Sequence, residues 1–513
     1  MTITLTENPG DYNLPYPTWF ENQRVMAERA LNLDPGQVLF IEAPTGVGKM
    51  ANPAVTSHFR PGATTCVATR DLQSQYSDTF PDMAIVWGQS HYPCVSPTRV
   101  QEFQDAYGYS PTREDCSYRK PKDCPEYSQC PYERSKIIAL STRAKVGNYA
   151  YMYYTKWWRG DNVNDLFCDE AHRLPETLSG LISLEVAEST RTYHRLPQFP
   201  CIGGGTKYAY KQIASWAAEG AESLRPNAQK DPKRRLRVKH MKFKLKSLTE
   251  SLGAANPGTW YVASGQALGK LLAKPVYPGK YSRRILDPDA RSITLMSATI
   301  GDPNLLAEEL GLSQDFEFLT LPHIFPKENR VIIWVKDGPK ISAKSSTRDY
   351  KAQAQIIAGI IRQHSGQRGL IHVASWHHTK RLANLLSNNG LADRIYVPEG
   401  ERLQAIEKFK NSGEDTVAIS PSWGEGLNFP DDEARFAIIA KIPFLNLGDP
   451  VVKLRLHSPG GNKWYRWQAC LGVVQRAGRT VRHAKDWSCT YIVDALWSQV
   501  QSYAPAWFEW ETF

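Results

Sequence analysis

The stretch Val38-Leu39-Phe40-Ile41-Glu42-Ala43-Pro44-Thr45-Gly46-Val47-Gly48-Lys49-Met50 decides the fold. It opens with an apolar run of strand length and continues into a glycine-containing loop that a helix would follow. Gly46 and Gly48 let backbone amides approach phosphate oxygens, Lys49 neutralises the phosphate charge, and the following helix aims its positive end at the same anion. Ala43, Thr45 and Met50 complete the set of residues expected along that loop. Met50 departs from the usual pattern, because a hydroxyl residue there binds Mg²⁺ and a thioether does not.

Further buried-strand runs occur at 65–69, 166–169 and 293–299, then at 369–375, 417–420, 436–441 and 491–494. Their alternation with helical stretches predicts an α/β protein with parallel sheets, and the second series, beginning after Pro326, predicts a second lobe. Asp169 and Glu170 end one run, so both carboxylates are expected at a strand's carboxyl end, facing the phosphates. Asp169 suits Mg²⁺ held through its water shell, and Glu170 suits orientation and deprotonation of an attacking water. Late in the chain, Gln475-Arg476-Ala477-Gly478-Arg479-Thr480-Val481-Arg482 spaces Arg479 and Arg482 three apart, which predicts one helical face carrying two arginine fingers.

The 513 residues have room for two to four domains, and 42% hydrophobic with 22% charged residues is ordinary for a chain that folds without staples. No apolar run reaches the roughly 18 residues of a membrane span, and Met1 to Pro9 lacks the layout of a signal peptide, so a cytoplasmic protein with no membrane partner is expected. Much of the net charge of +10 sits between Lys230 and Lys246, where nine Lys or Arg face one acid, Asp231. Val238, Met241, Leu245, Leu248 and Leu252 recur there at helical spacing, predicting a helix with one apolar stripe and a basic remainder. Such a face suits a polyanion, or else is simply solvated.

Nine cysteines argue for thiols, metal ligands or core residues rather than a disulfide framework, and Cys66, Cys168, Cys201, Cys470 and Cys489 read as packing residues. Cys94, Cys116, Cys124 and Cys130 lie in a stretch from about 88 to 140 too irregular to continue the sheet. Their open spacing lacks the tight pairs usual at structural zinc sites and suits four-thiolate iron-sulfur ligation better, with zinc or unliganded thiols as the alternatives. The stretch from about 179 to 284 shows little strand character and reads as a separate, mainly helical module.

Taken together, these motifs resemble the XPD/DinG family of superfamily 2 DNA helicases over almost the whole chain. Phe20-Glu21-Asn22-Gln23, Thr69-Arg70-Asp71-Leu72-Gln73, Gly88-Gln89-Ser90-His91-Tyr92-Pro93-Cys94, Cys130-Pro131-Tyr132 and Asn148-Tyr149-Ala150-Tyr151 carry the likeness early on. Asp169-Glu170-Ala171-His172, Ser297-Ala298-Thr299-Ile300, Ser420-Pro421-Ser422-Trp423-Gly424-Glu425-Gly426, Ala440-Lys441-Ile442-Pro443-Phe444 and Gly448-Asp449-Pro450 continue it. The resemblance implies two RecA-like lobes, the first split as 1–87, 141–178 and 285–325 and the second spanning 326–513. It also implies a 4Fe-4S domain at 88–140 and an Arch-like domain at 179–284. It implies an ATP hydrolase that moves 5′ to 3′ on single-stranded, forked or 5′-tailed DNA as a monomer. Gln23 would read adenine, Gly426 and Gln475 would face ATP and Mg²⁺ from the second lobe, and the four cysteines would ligate the cluster.

Asn428 stands where family members generally show an acid, and with Met50 it motivates an alternative, a DNA-binding protein with weak or no ATPase. Gln475 to Arg479 also resembles RNA-unwinding relatives, which makes an RNA helicase a further alternative, although those relatives continue with another Gly-Arg where this chain has Thr480-Val481-Arg482.

Overall fold

The computed structural model describes residues 2–116, 121–155, 158, 163–226, 229, 231–342, 344–424 and 426–513; Lys230 and Glu425, named above, lie outside the described residues. Among the described residues, seven parallel strands form the first sheet, in the order Glu317–Thr320, Val38–Glu42, Ser292–Ser297, Asp165–Asp169, Ala63–Val67, Ala144–Asn148 and Ala84–Val86. A parallel sheet covered on both faces needs near-continuous apolar strands, and Val38–Glu42, Asp165–Asp169 and Ser292–Ser297 are buried almost throughout. Register pairs Glu42 with Ser297 and Met296 with Asp169, so the loops after these three adjacent strands emerge at one edge. Glu42 is tolerated inside because its carboxylate accepts from the amides of Ile300 (2.9 Å) and Gly301 (2.5 Å) and from the Thr320 hydroxyl (3.3 Å).

Among its described residues the second lobe holds seven parallel strands in the order Ile395–Tyr396, Val417–Ser420, Gly369–His372, Phe436–Ile439, Ser488–Ile492, Arg330–Trp334 and Glu511–Thr512. Two strands stop earlier than the apolar runs indicate because a hydroxyl residue at the end of the run becomes a helix cap. Thr69 leaves the sheet to accept from the Leu72 amide (3.2 Å) at the start of the helix Arg70–Thr79, and Ser375 accepts from the His378 amide (3.2 Å) ahead of Trp376–Leu386. The strand Ala144–Asn148 is masked in the sequence by the buried Lys145, whose ammonium burial pulls down to a pKa of about 8.

The cysteine-rich segment is inserted between the neighbouring strands Ala84–Val86 and Ala144–Asn148 and contains the helices Pro97–Tyr107 and Pro131–Ser141. The second insertion corrects the expectation of little strand character. Beside the helices Lys207–Ser223 and Pro232–Gly253 it carries an antiparallel sheet in the order Leu184–Ala187, Lys270–Pro275, Trp260–Gly265 and Ile202–Gly204. Alternating burial in Leu184–Ala187 is the period-2 pattern of a half-exposed strand, too short to stand out among polar neighbours. Pro232–Gly253 is the basic helix, capped by the one acid of the run, Asp231, which accepts from the Lys233 amide (3.0 Å). Val238, Leu245, Leu248 and Leu252 are its buried stripe.

Part of the basic face has protein partners, which narrows the polyanion expectation. Arg235 Nη2 donates to the Asp115 carbonyl (3.0 Å), Lys233 lies 4.8 Å from the Tyr109 ring centre, and His240 pairs with Glu114 (3.2 Å), all three on the cysteine-rich insertion. Lys239, Lys244 and Lys246 stay exposed. The lobes pack through Trp464, Trp467 and Leu471 of the helix Gly461–Ala477, which join the first lobe's core. Arg455 is buried against Glu309 as an ion pair, with Trp464 4.2 Å and Tyr277 5.0 Å from its guanidinium. Cys201 is exposed, not a packing residue, whereas Cys66, Cys168 and Cys470 are buried and Cys489 half-buried.

Candidate functional site

The loop after Val38–Glu42 has the shape its glycines dictate, with Gly46 at φ +93° and Gly48 at φ +76°. Side chains are excluded at both: a Cβ on Gly46 would lie 2.8 Å from the Phe325 ring, and one on Gly48 would run into Gln23. Lys49 Nζ donates to the carbonyls of Ala43 (2.8 Å) and Pro44 (3.1 Å), folding its charge over the loop. Gln23 is fully buried and clamps the same loop, accepting from the Phe20 amide (3.2 Å) and donating to the Gly48 carbonyl (3.2 Å). Thr45 is exposed at the mouth. Met50 starts the following helix, and its side chain packs on the apolar core under the loop.

Asp169 and Glu170 leave the end of Asp165–Asp169, which lies beyond Ser292–Ser297 in the sheet, at the same edge, as expected. Asp169 is buried; its carboxylate accepts from the Tyr76 hydroxyl (3.2 Å) and the Glu170 amide (2.9 Å), and the Tyr149 hydroxyl donates to its carbonyl (2.7 Å). Burial, then the adjacent Glu170 charge, lift its pKa to about 6. Glu170 adopts a left-handed φ of +53°, which turns its side chain out of the strand line. Burial works against its charge, yet His172, Lys49 and Arg479 together hold its carboxyl below the ordinary range.

His172 links the lobes. Its Nδ1 lies 2.7 Å from Ser297 Oγ and its Nε2 lies 2.5 Å from Gln475 Nε2, which also donates to Thr299 Oγ1 (2.9 Å). An amide donor on Nε2 leaves the proton on Nδ1. Ala298 and Ile300 offer their carbonyls to indole N–H groups of the second lobe, Trp507 (3.1 Å) and Trp467 (2.7 Å).

The helix ends at Ala477, so Arg479 and Arg482 do not share a helical face; Gly478 turns the chain and both residues lie in the loop beyond it. They converge nonetheless. Arg479 donates to the carbonyls of Gly424 (3.2 Å), Gln475 (3.0 Å) and Leu427 (3.2 Å), which wraps it in the loop containing Gly426 at φ +71°. Arg482 is a charged neighbour of Glu170 and Lys49; its Nε is buried with no hydrogen-bond partner among the described residues. Burial, then the Arg479 charge, lower its pKa to about 10. The sequence motifs thus meet across one cleft. Tyr76, Tyr149 and the two indoles were missed, since nothing in their local sequence marks a partner so far along the chain.

Cys94, Cys116, Cys124 and Cys130 line one small cavity with Arg113, Glu126 and Glu133. Residues 117–120, between the second and third of them, are outside the described residues.

Residues 358–510 match the helicase C-terminal domain family. The second lobe is a helicase C-terminal domain. The chain is 26% identical over 245 residues to the Fanconi anemia group J protein homolog of Gallus gallus, covering 40% of this chain and 19% of that one. It is 24% identical over 332 residues to the ATP-dependent DNA helicase CHL1 of Kluyveromyces lactis, covering 56% and 39%. It is 36% identical over 260 residues to the regulator of telomere elongation helicase 1 homolog of Drosophila grimshawi, covering 44% and 26%. The chain therefore spans well under half the length of these relatives. In fold it is similar to a solved XPD helicase, with a TM-score of 0.63 at 13% identity over 96% of this chain and 98% of the other. S. tokodaii Xpd4 gives 0.58 at 10% identity over 94% and 96%. In fold the chain is XPD-like, with two RecA-like lobes, and the helicase C-terminal match falls in the second. Among the described residues, no helix is long and apolar enough to cross a membrane.

Proposed function

We propose that the protein is an ATP-dependent DNA helicase or translocase that binds ATP between its lobes and moves along single-stranded DNA. The observation that carries the reading is the convergence of Lys49, Asp169 and Glu170 from one lobe with Arg479 and Arg482 from the other, a buried positive cluster around a paired carboxylate. Amides at Gly46 and Gly48 with Lys49 bind the phosphates, and Gln23 would read the base once its amide exchanges its contacts with the Phe20 amide and the Gly48 carbonyl. Glu170, held ionised, accepts the proton of the attacking water. Arg479 and Arg482 meet charge developing on the transferred phosphoryl group, so hydrolysis waits for both lobes to be engaged. The His172–Gln475–Thr299 chain carries that engagement to Ser297-Ala298-Thr299. One chain supplies both halves of the cleft, which supports a monomer. Travel from 5′ to 3′ and a forked or tailed substrate follow from family resemblance. The deciding experiment is steady-state ATP hydrolysis with and without single-stranded DNA or RNA: DNA stimulation supports the motor, RNA stimulation alone replaces it with an RNA helicase, and background turnover with DNA bound supports the weak-ATPase binder.

Asp169 would hold Mg²⁺, which supplies charge neutralisation at the phosphates. A carboxyl with a raised pKa is protonated earlier on acidification, and a proton there excludes the metal. The Mg²⁺ concentration for half-maximal turnover is therefore expected to rise about tenfold per pH unit below about pH 6 and to be flat above about pH 7. A flat titration to pH 5 would remove Asp169 from the metal site.

The weak-ATPase reading draws on Met50, whose side chain lies on apolar core and brings no ligand to the metal. Water would take that position, because Mg²⁺ keeps several waters. Met50→Thr is expected to lower the Mg²⁺ requirement and raise DNA-stimulated turnover several-fold, at a stability cost of about 1 kcal/mol for the lost packing. Unchanged Mg²⁺ dependence would mean that another protein group already occupies the position.

Four thiols on one cavity fit a four-thiolate group, and Cys94, Cys116, Cys124 and Cys130 would hold a 4Fe-4S cluster. The cluster would cross-link an insertion poor in regular structure. Cys116→Ser is expected to lose iron, acid-labile sulfide and unwinding while keeping ATP affinity, because the phosphate loop lies elsewhere in the lobe. Stoichiometric zinc without sulfide in the parent protein would overturn the cluster.

A further inference from the structure

The loop 478–486 that carries both arginines has no regular secondary structure to hold it. Its ends are tied by the carbonyls of Arg479 and Ala484, which accept from the Phe429 amide (3.0 Å) and Asn329 Nδ2 (2.8 Å), and at Arg482 it is anchored by Asp486, a carboxylate with no solvent exposure. Its Oδ2 accepts from the backbone amide of Arg482 (3.0 Å), and its Oδ1 accepts from the amide of Asp431 (3.0 Å) and from Arg435 Nη1 (3.1 Å). The two oxygens therefore face different ways. One grips the sheet side through Arg435, which precedes the strand Phe436–Ile439, and the other grips the arginine itself. His483, one residue after Arg482, reaches back to the Asp431 carboxylate (3.1 Å) and closes the loop on the same turn. Asp431, His483 and Asp486 bring potential metal ligands within 4.8 Å of one another, but Asp486 already receives three N–H groups, so the cluster is a brace and not a cation site.

We propose that Asp486 is a positioning residue for Arg482: its carboxylate fixes the Arg482 backbone so that the guanidinium reaches the phosphate cleft from an otherwise irregular loop. This rests on the reading of Arg482 as facing the nucleotide. Charge-assisted hydrogen bonds are short and directional, and a buried carboxylate accepting three of them defines the position of each donor. A displacement of about 1 Å in a group that stabilises a transition state can cost about 100-fold in rate. An asparagine in place of Asp486 has one acceptor oxygen and an NH₂ group, so it cannot accept on both sides; one of the two attachments is replaced by opposed N–H groups.

The test is a double-mutant cycle on the full chain, read as kcat and KM for ATP with single-stranded DNA present, alongside thermal melting. Asp486→Asn is expected to lower kcat about 100-fold with KM changed less than about threefold, and to add nothing further to Arg482→Ala. Arg435→Gln loses the buried ion pair but keeps the Asp486 to Arg482 bond, so it should melt earlier while kcat stays within about threefold. The proposal is overturned if Asp486→Asn keeps its kcat, if its cost multiplies undiminished on the Arg482→Ala background, or if Arg435→Gln loses as much kcat as Asp486→Asn. Loss of a cooperative melt in Asp486→Asn would assign the residue to lobe stability and overturn it as well. Absence of turnover in the parent protein would instead sink the hydrolase reading beneath it.

Discussion

Glu170→Gln is expected to lower the rate of ATP hydrolysis by about 100- to 10,000-fold while leaving ATP affinity within about threefold, the range spanned by removal of a general base. Three features of the site support the size of the effect. The glutamate's left-handed backbone turns it away from the strand line and from the hydrogen bonds that occupy Asp169, leaving the His172 ring, with Nδ1 3.3 Å from Oε2, beside its carboxylate. Its carboxyl stays below the ordinary range against the pull of burial because His172, Lys49 and Arg479 surround it, so at neutral pH it is fully ionised and able to take a proton. Glutamine is isosteric and keeps an acceptor oxygen but cannot take that proton. Affinity should survive, since the amides at Gly46 and Gly48 and the Lys49 ammonium hold phosphate without help from Glu170. Binding would be measured with a fluorescent ATP analogue and hydrolysis under single-turnover conditions. Turnover within about tenfold of the parent would show that water is activated elsewhere.

Much of the architecture was legible because it is written in contiguous residues. Val38 to Lys49 and Leu166 to Glu170 each combine a buried strand with the loop chemistry that follows it, and both sit where their patterns indicate. Strand ends were legible only to within three residues, in part because Thr69 and Ser375 satisfy either a strand or a helix cap until the tertiary fold decides. Ala144–Asn148 was hidden by Lys145, and the antiparallel sheet of the second insertion by strands of three to six residues whose apolar runs, at most Trp260 to Ala263, are short and set among helical and polar stretches. The arginine pair illustrates a different limit. Spacing of three fits a helix face, but Gly478 ends the helix, and convergence is achieved instead by side-chain contacts to Gly424 and Leu427 and by Asp486. Those partners lie in loops whose approach no local pattern encodes. The same holds for the indoles of Trp467 and Trp507 on the carbonyls of Ile300 and Ala298.

Arg482→Ala is expected to lower kcat about 1,000-fold, at the low end of what an arginine finger contributes, and to leave the melting temperature unchanged or higher. The two halves of this expectation have one physical cause. A guanidinium buried beside a second arginine, with its Nε lacking a hydrogen-bond partner among the described residues, costs free energy in the resting protein, and the fall of its pKa to about 10 reports that cost. Glu170 and Asp486 offset part of it. Such an arrangement gains its return when an anion enters the cleft, because an unsatisfied donor already aimed at the developing charge needs no reorganisation during the reaction. Arg479 differs, since its Nε and Nη1 are held by the carbonyls of Gly424, Gln475 and Leu427, so Arg479→Ala should destabilise the loop as well as slow turnover. Arg482→Lys should recover only part of the rate, because an ammonium is a point charge and cannot make the planar, bidentate contact of guanidinium. The measurements are kcat with saturating single-stranded DNA and a melting curve without nucleotide. A kcat within about threefold of the parent, or a melting temperature that falls by several degrees, would make Arg482 a structural cation and return the finger role to Arg479 alone.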